Sequence, residues 1–159
     1  MRTLFKILIL VLFSVNFSLA QSKKEIKKNK IKSTTISDTE NGKVLKNKKT
    51  DYDKNGETIL EADYDKDGSL KSTVKSKYNK DGDVIEEEVY DAKTKVTEKH
   101  IYKYNSLGEK TEEQIMDASG KVLKTHQYTY NASGLKTTRK TLDASGKTTC
   151  IRNYTYEFN

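Results

Sequence analysis

Tyr102-Lys103-Tyr104-Asn105-Ser106-Leu107-Gly108 returns 26 residues later as Tyr128-Thr129-Tyr130-Asn131-Ala132-Ser133-Gly134. Working outward from this pair, Tyr52, Tyr78, Tyr104, Tyr130 and Tyr156 share one phase of that step. Tyr102, Tyr128 and Tyr154 share a second, and Tyr64 and Tyr90 a third that Met116 and Leu142 continue. All eight glycines, from Gly42 to Gly146, lie on the same lattice, alternately 12 and 14 residues apart, with Thr94 where one is missing. A repeat this regular largely dictates architecture.

Seven of those glycines close an Asx-x-x-Gly unit, for example Asp53-Lys54-Asn55-Gly56 and Asn79-Lys80-Asp81-Gly82. The Asx side chain caps the turn and glycine takes the left-handed conformation, the pattern of a type I turn with a glycine bulge. Between turns the chain is rich in Thr, Val, Ile, Tyr and alternating charge, as strands are. The sequence contains no proline and no helical apolar stripe. The expected fold is all-β, an antiparallel meander of about ten strands in a curled, repeat-built sheet whose unit is a 26-residue strand pair, with no helix after the signal peptide. The expected strands are 30–38, 43–52, 57–64, 69–78, 83–90, 95–104, 109–116, 121–130, 135–142 and 147–158. The glycine-bulge turn pairs residue i with i+4 and so preserves parity. Every tyrosine is even-numbered, which predicts all ten on one face with Leu60, Leu70, Val74, Val84, Val96, Val122 and Leu142. The short strands are acidic (Glu86, Glu87, Glu88, Glu112, Glu113) and their long neighbours basic (Lys75, Lys77, Lys99, Lys103), so opposite charges should meet across strands. Asp91-Ala92-Lys93-Thr94 should be the least regular hairpin, with Thr94 forced left-handed.

The units Tyr52-Asp53-Lys54-Asn55-Gly56 and Tyr64-Asp65-Lys66-Asp67-Gly68, with the two quoted above, resemble the YD repeats of the Rhs family over residues 38–159. That resemblance implies spiralling β-sheet shells, which in large members enclose a toxin. Residues 38–159 hold about four and a half 26-residue units and a short, payload-free member is the expectation, so what transfers is the local strand-turn geometry. It is also similar, more weakly, to the glycine-turn repeats of the variant MORN type, which lack the paired tyrosines.

Residues 1–20 read as a separate object. Arg2 and Lys6 precede the apolar run Ile7–Leu19, and Ser18-Leu19-Ala20 presents small residues to signal peptidase. Cleavage is expected before Gln21, placing the protein as secreted or periplasmic. The competing reading is an uncleaved anchor, for which the run falls short of the ~20 residues a spanning helix needs. No membrane span is expected after cleavage. Six lysines and Glu25 fall within Ser22–Lys32, whereas residues 33–159 balance. The excess charge therefore belongs to a basic, flexible leader, 21–32, ahead of a repeat domain at 33–159, and no specific nucleic-acid partner is expected. Cys150 is the single cysteine, which excludes an internal disulfide. It reads as a half-buried small residue, with a free thiol or an intermolecular bridge as alternatives.

Functionally the chain reads as an exported, non-catalytic β-repeat protein, a binding or cell-envelope scaffold module. No Ser-His-Asp order, phosphate loop or His/Cys cluster stands out, so neither an enzyme nor a cofactor is expected. The binding candidates are Tyr52, Tyr78, Tyr102, Tyr104, Tyr128, Tyr130, Tyr154 and Tyr156, a row of flat amphipathic surfaces suited to an extended glycan or protein segment, or simply the sheet's own packing. Asp51, Asp53, Asn55 and Asp63, Asp65, Asp67 match the first half of a calcium loop, but the bidentate acid such a loop needs is replaced by Ala62 and Val74. Weak calcium binding is the alternative to plain turn chemistry. His100 and His126 occupy equivalent positions two strands apart, too far for one zinc. The last strand, ending in Tyr154-Thr155-Tyr156-Glu157-Phe158, is a poorly guarded edge and predicts self-association or strand addition, unless it closes onto the first strand as a barrel.

Overall fold

A computed structural model describes residues 22–158. The signal-peptide reading lies outside the described residues. Ten strands follow one another: β1 (Ser33–Glu40), β2 (Lys43–Tyr52), β3 (Thr58–Tyr64), β4 (Leu70–Tyr78), β5 (Val84–Asp91), β6 (Val96–Tyr104), β7 (Lys110–Asp117), β8 (Val122–Tyr130), β9 (Lys136–Asp143) and β10 (Thr148–Asn153). Their order in the sheet is their order in the chain, every neighbouring pair is antiparallel, and β1 and β10 do not pair. The sheet is an open meander. No helix among the described residues is long and apolar enough to cross a membrane.

The turns follow the expected chemistry. Asp53 N donates to Glu57 O at 2.9 Å and Gly56 N donates to Asp53 O at 3.0 Å, and the same two bonds recur at each Asx-x-x-Gly unit. Asp53 Oδ1 accepts from Asn55 N and Glu57 N at 2.8 and 2.9 Å. Asn79, Asn105, Asp117, Asn131 and Asp143 do the same in their turns. At the second unit Asp67 does the capping instead, accepting from Ser69 N and Oγ.

Parity does not survive the hairpin. In β2–β3, Tyr52 pairs with Thr58 as the turn dictates, but Asp51 pairs with Leu60, leaving Ile59 as an extra residue. The same slip occurs three residues past every Asx-x-x-Gly glycine, at Lys71, Ile85, Thr111, Leu123, Thr137 and Thr149. A bulge places two residues opposite one and reverses the alternation beyond it. Beyond the bulges, even residues of the long strands therefore share a face with odd residues of the short strands, while the residues just before them, such as Lys110 opposite Tyr104 and Lys136 opposite Tyr130, keep the original parity. Tyr102 lies opposite Glu113, and Tyr90 lies opposite Thr73 and Thr97. The expectation of ten tyrosines on one face is corrected to eight, with Tyr64 and Tyr90 on the reverse.

The reverse face carries the expected charge ladder. Lys75–Glu88, Lys77–Glu86, Lys99–Glu86 and Lys103–Glu112 close at 3.0, 2.9, 3.1 and 2.7 Å. The β5–β6 hairpin lacks the bulge. Its left-handed residue is Lys95 (φ 55°), not Thr94, because Thr94 N and Oγ1 both donate to Asp91 Oδ1 and hold that residue in the turn. β10 stops at Asn153, short of the expected 158, although Tyr154 N still reaches Thr137 O.

One element was not expected. Lys23–Lys28 form a short helix, α1. Ser22 caps it, accepting from Glu25 N, while Glu25 Oε2 accepts from Ser22 N at 3.0 Å. This is a capping box, with Lys27 and Lys28 placed favourably in the last turn. The helix is short and survives because Ile26 is 1% exposed. Ile26 borders a hollow with Thr34, Ile36, Thr50, Tyr52 and Tyr78, so α1 covers the tyrosine face at its first strands. Elsewhere burial is sparse: Ala62, Ile115 and Tyr128 are the only other buried apolar residues among those described. Cys150 is exposed, contrary to the half-buried expectation.

Candidate functional site

The tyrosine face is built by the ends of the long strands, where each Tyr precedes its turn. The first phase of the repeat makes one recurring contact. Tyr78, Tyr104, Tyr130 and Tyr156 donate from Oη to the carbonyls of Thr58, Val84, Lys110 and Lys136, at 2.8, 2.7, 2.8 and 2.8 Å. Each acceptor lies two residues past a turn glycine, immediately before the bulged residue. A bulge interrupts the ladder locally, and the phenol supplies a donor there. Tyr52 makes the corresponding contact to Thr34 Oγ1 at 3.1 Å.

The second phase is electrostatic. Tyr102 Oη donates to Glu87 at 2.5 Å and Tyr128 Oη to Glu113 at 2.7 Å. Burial first, then the adjacent carboxylate, pushes both phenols well above their ordinary pKa. Burial works to raise Glu113 as well, but hydrogen bonds from Tyr128 and His100 and the nearby Lys110 outweigh it and hold this carboxyl below its usual value. At the position equivalent to Glu87 and Glu113 in the third repeat, 15 residues before Tyr154, the chain has Arg139, which lies opposite Arg152. Arg139 Nε is buried and has no partner within the described residues.

Lysines fill the gaps between rings. Lys110 Nζ lies 4.5 Å from the Tyr102 centroid and 5.6 Å from that of Tyr128. Lys136 Nζ lies 4.6 Å from Tyr128 and 5.8 Å from Tyr154. Tyr102, Lys110, Tyr128, Lys136 and Tyr154 thus form a row of alternating rings and ammonium groups. Of the eight candidate tyrosines, Tyr128 is buried, Tyr156 is exposed and the other six are half-buried. Seven of the eight hydroxyls are engaged inside the sheet, so what faces outward is ring surface and the lysines. The sequence reading singled out the tyrosines but missed Glu87, Glu113 and Arg139, because these odd-numbered residues reach the tyrosine face only through the parity reversal; Lys110 and Lys136 lie before the bulge, opposite Tyr104 and Tyr130, and share the face by preserved parity.

Of the calcium candidates, Asp53 and Asn55 touch within their turn, Asn55 Nδ2 lying 3.5 Å from Asp53 Oδ2, and the others have separate partners or exposed positions. Asp53 and Asp67 hold their turns, Asp51 lies 3.0 Å from Lys49, Asp63 lies 3.9 Å from Lys48, and Asn55 and Asp65 sit at exposed turn positions. Among the described residues no three His, Cys, Asp or Glu side chains converge on one metal position. His100 Nδ1 contacts Glu113 at 3.1 Å and His126 Nδ1 contacts Thr141 Oγ1 at 3.0 Å, so equivalent positions hold different partners. No protein-family model matches the chain, and no curated protein matches it either.

Proposed function

We propose that this chain is an exported, non-catalytic binding module of the YD-like repeat type, whose tyrosine face holds an extended anionic glycan. The observation that carries this reading is the row Tyr102–Lys110–Tyr128–Lys136–Tyr154. The half-buried rings of Tyr102 and Tyr154 offer flat amphipathic faces to sugar units, while the buried Tyr128 seats Lys110 and Lys136 between them, whose ammonium groups suit carboxylate or sulfate substituents. Of the nearby acids, Glu113 pairs with Lys110 at 3.7 Å, and Glu87 and Glu113 accept hydrogen bonds from the Tyr102 and Tyr128 hydroxyls, so those carboxylate oxygens are engaged within the sheet. Export rests on the N-terminal sequence. A non-catalytic role is favoured because the shifted groups on this face are locked to one another rather than aimed into an enclosed cavity.

Calorimetry against acidic polysaccharide, its neutral counterpart and poly-glutamate tests the proposal. Binding of the acidic polysaccharide alone is expected, weakening with added salt and lost in Lys110→Glu/Lys136→Glu. Equal binding of the neutral chain, preference for poly-glutamate, or an unaffected double variant would overturn it.

A further inference from the structure

The two edges of the sheet are complementary to each other. Tyr154 N donates to Thr137 O, so even residues of β10 aim their backbone groups at β9, and odd residues Ile151 and Asn153 aim theirs outward. Tyr52 N donates to Lys32 O, so even residues of β1 face β2, and Ser33, Thr35, Ser37 and Thr39 aim outward. Side chains of even residues lie on the tyrosine face in both strands: Thr34 reaches Tyr52, and Tyr154 approaches Lys136. An antiparallel union of β10 with the β1 of another copy therefore pairs odd with odd, and tyrosine face continues into tyrosine face. A mismatch of one residue would have set the two faces against each other.

We infer that the chain associates with itself head to tail, β10 of one copy adding to β1 of the next. Three further observations support the second copy as occupant. β10 ends at Asn153, whereas β2, β4, β6 and β8 run to Tyr52, Tyr78, Tyr104 and Tyr130, whose counterpart is Tyr156. The strand stops short where the missing neighbour would pair with it. β1 is of the short type that follows every long strand in the meander, so the added strand continues the alternation. Charge and apolar exposure then select the register. With Arg152 opposite Asp38, Tyr154 falls opposite Ile36, Tyr156 opposite Thr34, and all of β1 is covered by residues 150–157. Ile36 and Ile151 are 54% and 58% exposed in the single copy. β1 itself carries no lysine, and Lys23 ahead of it packs on the β2–β3 turn at Gly56 and pairs with Glu57. Unguarded edges are the ordinary route to strand addition. The inference is independent of what the tyrosine face binds.

The test uses the full coding sequence, expressed with its own leader, and sedimentation velocity over a wide concentration range. Asn153→Pro and Thr35→Pro each remove one outward N–H from an edge strand while leaving its inward bonds in place. Wild type is expected to form concentration-dependent oligomers and each variant to be monomeric. An equimolar mixture is expected to form dimers that grow no further, since each variant retains the edge the other lacks. Independently, Arg152→Asp should weaken association about fivefold, with Asp38→Arg in the same chain restoring it. The inference falls if wild type stays monomeric, or if the mixture does. It falls equally if Thr35→Pro alone associates like wild type, which means β10 pairs with β10, or if Asn153→Pro alone does, which means β1 pairs with β1.

Discussion

Replacing Gly56 by Ala should be the most damaging glycine substitution in the repeat, and the reason separates two costs. Gly56 has φ +82°, a conformation unfavourable for an L residue by about 1–2 kcal/mol. Gly108 has φ +77° and the same turn role, with no atom within 4 Å of the added methyl, so Gly108→Ala measures that backbone cost alone. At Gly56 the new Cβ would stand 2.7 Å from the Lys23 carbonyl oxygen and 3.4 Å from Lys27 N. Both contacts are with α1 backbone, which cannot yield as a side chain would. The helix must lift, and Ile26 then loses burial worth about 1.5–3 kcal/mol. Gly56→Ala should therefore cost about 2.5–5 kcal/mol against about 1–2 for Gly108→Ala. The chain has no tryptophan, so urea unfolding followed by tyrosine fluorescence and circular dichroism is the assay. In an Ile26→Ala background, where the anchor is already gone, the excess at Gly56 should shrink towards the Gly108 value. Equal costs at Gly56 and Gly108, or an excess that persists without Ile26, would refute the docking argument.

Tyr130→Phe removes the donor to Lys110 O and should cost about 0.5–1.5 kcal/mol, whereas Tyr128→Phe strips a charge-assisted bond from Glu113 and should cost about 1.5–3; paired urea titrations decide the order. Lys95→Gly should stabilise by about 1 kcal/mol by relieving a positive φ, while Thr94→Gly should destabilise by losing the hydroxyl bond to Asp91, read as opposite shifts in thermal midpoint. Stability should fall as pH drops. Burial keeps His126 below its usual value, so the unfolded chain binds the proton first and stability is lost from mildly acid pH downward. Glu113, Asp117 and Asp143 sit below their usual values, so the stability they contribute is lost at lower pH still, as they protonate. His126→Asn should flatten the upper part of that slope in pH-dependent urea midpoints.

The strands and turns were legible because glycine and Asx are demanded by backbone conformation, and such demands leave a fixed residue type at a fixed step. The second bulge leaves no such mark. Ile59, Lys71, Ile85, Thr111, Leu123, Thr137 and Thr149 share no chemistry, since a bulged residue needs no positive φ and no particular side chain. The trace it does leave is in the numbering of charges. Lys75, Lys77, Lys99 and Lys103 are odd, while their partners Glu86, Glu88 and Glu112 are even. Preserved parity would have put these partners on opposite faces, so their complementarity already argued for a flip. Helix α1 was also readable, from Ser22 and Glu25 at capping-box spacing, but only a single apolar anchor, Ile26, marks it against a run of lysines.

Because each strand touches only the strands before and after it in the chain, the sheet has no obligatory length. Excising one complete 26-residue unit from its interior, or copying one, would leave every surviving hairpin with its own turn, bulge and phenol-capped carbonyl. The gene for such a protein can lengthen or shorten by unequal exchange between repeats without passing through an unfoldable intermediate. Helix α1 is the exception, since it recognises one turn by its glycine and Glu57, and so fixes where the count begins.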